Sequence, residues 1–150
     1  MDTIDLNTLI RFAEACRRGA ESLPKQPRSI DFSDFPAGAC GASANLIGRL
    51  LKEHFGIDGD YVCGEHHPGL SRNQSHAWFE ACGHIIDITH DQFGETNTEG
   101  WVLPLNNPWH ASFGNTERRK GFCMPQNWPM YPSDGYAAMS AALRNLQDPE

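Results

Sequence analysis

The chain has 150 residues, 39% of them hydrophobic and 21% charged, with a formal net charge of −7. That length suits one domain spanning residues 1–150, able to bury roughly 70% of its unfolded surface, and the composition excludes a disordered chain. The acidic balance argues against nucleic acid as a partner, because phosphate binding needs a basic face, and no apolar run is long enough to enter a membrane.

The N-terminal Met1-Asp2-Thr3-Ile4-Asp5 has neither a positive n-region nor an apolar h-region. This favours a cytoplasmic protein, or delivery by a dedicated secretion system, over a conventional signal peptide. From about Asp5 to Leu23, the spacing of Leu6, Leu9, Ile10, Ala13 and Cys16 predicts a helix, with Arg17 and Arg18 toward its C-terminal end and Pro24 and Pro27 as its stop. A turn-rich loop through Ser33, Asp34 and Pro36 leads to a second predicted helix, Cys40 to Phe55. Its stripe is Leu46, Ile47, Leu50, Leu51 and Phe55, and Gly56 is its stop. The first turn of that helix is small. Gly41 in it costs ~1 kcal/mol against alanine, which close approach of a substrate backbone would explain.

Strands follow. Asp60–Gly64 is a short one and His66–Asn73 reads as a loop. Ser75–Ala81 alternates, with His76, Trp78 and Glu80 on one face and Ala77, Phe79 and Ala81 on the other; Glu80 is expected to be solvated. Cys82-Gly83 reads as a tight turn, His84–Thr89 as the returning strand and Trp101–Leu105 as a third. Asn106–Gly135 is rich in Pro, Asn, Gly and Trp and shows no usable period. The basic cluster in it, Arg118-Arg119-Lys120, reads as a solvated turn or helix end. Tyr136–Leu146 reads as a closing helix with Ser133 or Asp134 near its start.

Three residues in this order carry chemistry: Cys40 at a helix start, then His76 and Asp87 on neighbouring strands. With a two-residue loop at Cys82-Gly83, Ala81 pairs with His84, Trp78 falls opposite Asp87, and His76 falls opposite Thr89. His76 and Asp87 then become diagonal neighbours on one face, and a one-residue slip would separate them. A free thiol titrates near 8.5 and reacts as the thiolate, which a helix N-terminus and a nearby imidazole both favour. Asp87 would orient the imidazole and stabilise its charged form. The Cys40 backbone N–H is a ready oxyanion donor, and His76 can protonate a leaving group.

Gly38-Ala39-Cys40, His76-Ala77-Trp78 and Asp87-Ile88-Thr89 resemble the motifs of the transglutaminase-like branch of the papain-like cysteine enzymes. The resemblance covers about Phe35 to Trp101. It implies an α+β fold, with the cysteine-bearing helix packed on a small antiparallel sheet. It also implies acyl transfer through a thioester, as in a protease, amidase, deamidase or cross-linking enzyme. There are departures. Gly41 stands where the family often has an aromatic residue, and Ile88 where it has proline. Asp34 stands where papain-like proteases place a glutamine as second oxyanion donor. Gln26, Gln74 and Gln92 are other candidates for that donor. Ser43 could take the nucleophile position in a Cys-Gly-Ser-Cys alignment, but it lies a turn into the helix, which favours Cys40.

The five cysteines are odd in number and include no C-x-x-C pair, which weakens a zinc or redox reading. Cys16, Cys63 and Cys82 read as structural. A metal set could draw on Cys63, His66, His67 and Cys82 or His84, but these lack standard ligand spacing, so neither metal nor cofactor is expected. The expected partner is a protein, peptide or small amide substrate, with oligomeric state open. The alternative is an inactive scaffold serving as a protein-interaction module. Its surface would be the region of Trp101, Trp109 and Trp128 with Pro104, Pro108, Pro125 and Pro129, a region read first as packing over the sheet, with a substrate-recognition rim or partner surface as the alternative.

Overall fold

A computed structural model describes residues 4–24, 29–94, 96–120, 123–124 and 126–146; Gln26, Pro27 and Pro125 lie outside the described residues. Helix α1 is Leu6–Glu21, started by the Asp5 carboxylate, which accepts a hydrogen bond from Thr8 N–H at 2.7 Å. Its buried stripe is Leu9, Phe12, Ala13, Cys16 and Ala20, while Leu6, one turn too early, is 46% exposed. Helix α2 is Cys40–Phe55, as the periodicity predicts, and Gly56 closes it in the left-handed region at φ 70°.

The strands are β1 Asp60–Glu65, β2 Ser75–Ala81, β3 His84–Ile86 and β4 Val102–Pro104. After them come the single-turn helix α3 Pro108–Ala111, strand β5 Asn115–Lys120 and helix α4 Ser133–Leu146. The described strands form one antiparallel sheet in the order β4-β3-β2-β1-β5. Helices and antiparallel sheet together make an α+β protein. Among the described residues, no helix is long and apolar enough to cross a membrane.

The turn at Cys82-Gly83 has both residues at positive φ, 56° and 74°. That is the twist a two-residue hairpin demands, and Ala81 pairs with His84 as expected. The returning strand is shorter than the sequence suggests. The ladder ends at Phe79↔Ile86 because the Asp87 N–H turns to Trp101 O (2.9 Å) and the Asp87 carboxylate accepts from Thr89 N–H (3.0 Å). A side chain that bonds its own backbone two residues on ends a strand.

Each face of the sheet has its own core. Phe79, Ala81 and Ile86 join Ile88 and the helical residues Leu46, Ile47, Leu50, Phe12 and Met139. Val62, Trp78, Ile85, Leu103 and Phe113 pack on the other face. Helix α2 lies across β2, and α1 packs on α4. Both contacts use glycine. A methyl at Gly48 would run into the Phe79 ring, and one at Gly19 would sit 2.7 Å from Ala138 O.

Two surface expectations are corrected. Arg118-Arg119-Lys120 is part of the edge strand β5, where Arg118 bonds Glu80 at 2.7 Å and Asp60 at 3.3 Å. Glu80 is not solvated: it accepts from Trp78 Nε1 at 2.9 Å as well as from Arg118. The tryptophans Trp101, Trp109 and Trp128 are half-buried. Trp101 and Trp128 pack against the helical core and Trp109 against the other one.

Candidate active site

Cys40 is the first residue of α2. No side chain caps that helix, so its first-turn N–H groups have no capping partner. β2 carries His76, and the turn after β3 carries Asp87. The register therefore brings together all three residues singled out in the sequence. His76 Nε2–H donates to Asp87 Oδ2 at 2.7 Å, with both side chains at most 1% exposed. His76 Nδ1 is buried without a hydrogen bond of good geometry, and it is the ring atom left to face the Cys40 thiol. Cys40 itself is half-buried.

The electrostatics follow from these contacts. Burial pushes the Cys40 thiol up. The His76 hydrogen bond and charge and the Ala77 N–H outweigh it and hold the thiol below its ordinary value. Burial pushes His76 down, but Asp87 and Cys40 raise it to about 9. Burial also works against the Asp87 charge, and the two imidazoles that bond it hold the carboxyl well below its usual range. Together these shift the pair toward thiolate and imidazolium. Burial leaves Cys16, Cys63 and Cys123 raised.

The second imidazole is His110, which the sequence reading missed. Its Nε2–H also donates to Asp87 Oδ2 at 2.7 Å, and it is as buried as Asp87 itself. Asn107 Nδ2 donates to His110 Nδ1 at 2.9 Å, which fixes His110 as the Nε2–H tautomer. Asp87 Oδ2 thus accepts two N–H bonds while Oδ1 takes Thr89 N–H. The carboxylate has little freedom to rotate. One signal for His110 was present: Asn107-Pro108 is a plausible helix start, which would have placed a histidine on an ordered turn.

Arg17 holds the site from behind. It donates to Ile88 O at 2.7 Å and to both oxygens of Asp91, and its guanidinium stacks on Phe35 and Trp101. It therefore ties the loop before Cys40 to the turn after Asp87. Gln92 adds a second tie: its Oε1 accepts from Gly38 N–H at 3.3 Å and its Nε2 donates to Thr89 O at 3.0 Å. Gln92 thus ties the cysteine loop to the turn after Asp87 with its oxygen and one of its two amide N–H groups. Gln74 folds back on Ser71 N–H in an exposed loop. Ser43 is buried within α2, at 2% exposure.

Phe93 and Trp109 stack on each other at 5.5 Å and meet the His76 ring edge-on at 5.0 and 5.5 Å. They wall the imidazole on its sheet side. The sequence's metal alternative is not assembled: His67 uses Nε2 on Trp109 O and Nδ1 on Gly69 N–H. A different set, His76, Asp87 and His110, has donor atoms within 4.8 Å of one another. Two histidines and a carboxylate can ligate a transition metal. Here both N–H groups are spent on one carboxylate oxygen, and an ion would have to replace both protons. The chain matches no known protein family, no curated protein and no solved structure.

Proposed function

We propose that this protein is a cysteine-nucleophile hydrolase or acyltransferase of transglutaminase-like type, acting on a peptide or carboxamide carbonyl through a thioester. The observation that carries this reading is the buried His76–Asp87 pair at 2.7 Å beside a half-buried Cys40 whose thiol is lowered. In the proposed reaction the Cys40 thiolate attacks the carbonyl carbon, and the C=O electron pair moves onto oxygen. The N–H of Cys40 at the uncapped helix start stabilises that oxyanion. Collapse expels the amine, which takes the proton from His76 Nδ1. Water or a second amine then attacks the thioester, gives its proton to His76, and the thiolate leaves. Asp87 keeps the imidazole turned so that Nδ1 faces sulfur throughout.

The test uses p-nitrophenyl acetate as an acyl donor. One equivalent of p-nitrophenolate is expected in a burst, with an acetyl group mapped to Cys40 by mass spectrometry. Cys40→Ala should abolish the burst with the fold intact. A burst that survives in Cys40→Ala, or acetyl spread evenly over the cysteines, would sink the reading and favour an interaction module built on the same scaffold.

A further inference from the structure

Besides the Cys40 N–H, a second oxyanion donor would come from a group near the start of α2, and one such group is the hydroxyl of Tyr61. Tyr61 lies on β1, opposite Phe79, and shares the α2-facing side of the sheet with Cys63, whose cross-strand partner is Ala77. The Ala77 N–H is the backbone group that meets the Cys40 sulfur. One residue beyond Cys40, a Cβ at Gly41 would stand 3.5 Å from the Tyr61 hydroxyl, in ordinary van der Waals contact. The phenol oxygen therefore lies beside the first turn of α2, close enough for Cys40 to influence it electrostatically, and Tyr61 and Cys40 are both half-buried.

This inference rests on the acyl-transfer reading: we propose that Tyr61 is a catalytic residue whose phenolic O–H donates to the acyl carbonyl oxygen as Cys40 attacks. With the Cys40 N–H it completes a two-donor oxyanion site. Burial and the nearby Cys63 and Cys40 thiols push the phenol up to about 12, so it stays a protonated donor wherever the thiolate is present. The glycine at position 41 then has a reason, since a side chain there would fill the space that the carbonyl oxygen needs. The step adds no reactant. The O–H is a hydrogen-bond donor to the tetrahedral oxyanion and keeps its proton when that intermediate collapses.

Two probes separate this role from thiol activation. Iodoacetamide alkylates a thiolate by displacement and forms no oxyanion, whereas p-nitrophenyl acetate must form one. Tyr61→Phe keeps the ring and its packing. It is expected to slow acetylation of Cys40 by about 10²–10³-fold, the range seen on removing one oxyanion donor. Alkylation of Cys40 should stay within about twofold, which also reports that the site is folded. Equal loss with both probes, or no loss with either, overturns the assignment while leaving Cys40 as nucleophile. A wild-type Cys40 inert to both probes sinks the acyl-transfer reading itself, and this inference with it.

Discussion

Asp87→Asn is expected to lower the acetylation rate of Cys40 by about 10³–10⁴-fold, the scale seen when a triad carboxylate is replaced by its amide. The reason is a conflict of donors. Asp87 Oδ2 accepts N–H bonds from both His76 and His110 at 2.7 Å, and Oδ1 accepts Thr89 N–H. An asparagine offers one oxygen and one NH₂ group, so it must set a donor against a donor on one side. His110 cannot yield by changing tautomer, because Asn107 already donates to its Nδ1. His76 can when the NH₂ group faces it, but then its proton sits on Nδ1, facing sulfur; when the NH₂ group faces Thr89 N–H instead, both imidazoles keep an acceptor and His76 loses the carboxylate charge that stabilises its imidazolium. Each buried donor left unpaired costs about 1–3 kcal/mol, so the urea midpoint should fall as well. A variant within tenfold of wild type would show that the carboxylate does not orient the base.

The second large effect is on His76. In His76→Ala the thiol keeps its burial, which raises it, and loses the imidazole that holds it down. Alkylation of Cys40 near pH 6 should fall about 10²-fold or more, because a thiol titrating at or above 8.5 is less than 1% thiolate there. The difference between the two proteins should narrow as pH rises and the variant's thiol ionises in turn. The variant also leaves Asp87 with only His110 and Thr89, so a lower thermal midpoint is expected. Equal labelling of wild type and variant at pH 6 would mean that His76 does not activate the sulfur.

Much of this site was legible in the chain. α2 announces itself through a clean stripe from Leu46 to Leu51, the mark of a helix buried on one side. The Cys82-Gly83 turn fixes a register from which the proximity of His76 and Asp87 follows, even though β3 stops three residues early. What stayed hidden depends on contacts without a local period. β5 is Asn-Thr-Glu-Arg-Arg-Lys, exposed throughout, and is a strand because its backbone pairs with β1. An all-polar edge strand has no alternation to read. His110 sits on a single turn, α3, and meets Asp87 only through the tertiary fold. Arg17 looks from spacing like a C-terminal helix charge, yet it is buried under Trp101 and paired with Asp91. Tyr61 reads as an ordinary strand aromatic until β1 is placed beside the start of α2.

The most direct measurement is the rate of iodoacetamide labelling of each of the five cysteines in the wild-type protein from roughly pH 5 to 9.5, mapped by mass spectrometry. A lowered thiol at Cys40, against raised thiols at Cys16, Cys63 and Cys123, predicts that Cys40 labels fastest of the five at neutral pH. Its rate should rise through an inflection below that of an ordinary thiol. An inflection at or above 8.5, or labelling of Cys40 no faster than Cys63 or Cys82, would contradict an activated nucleophile at the head of α2.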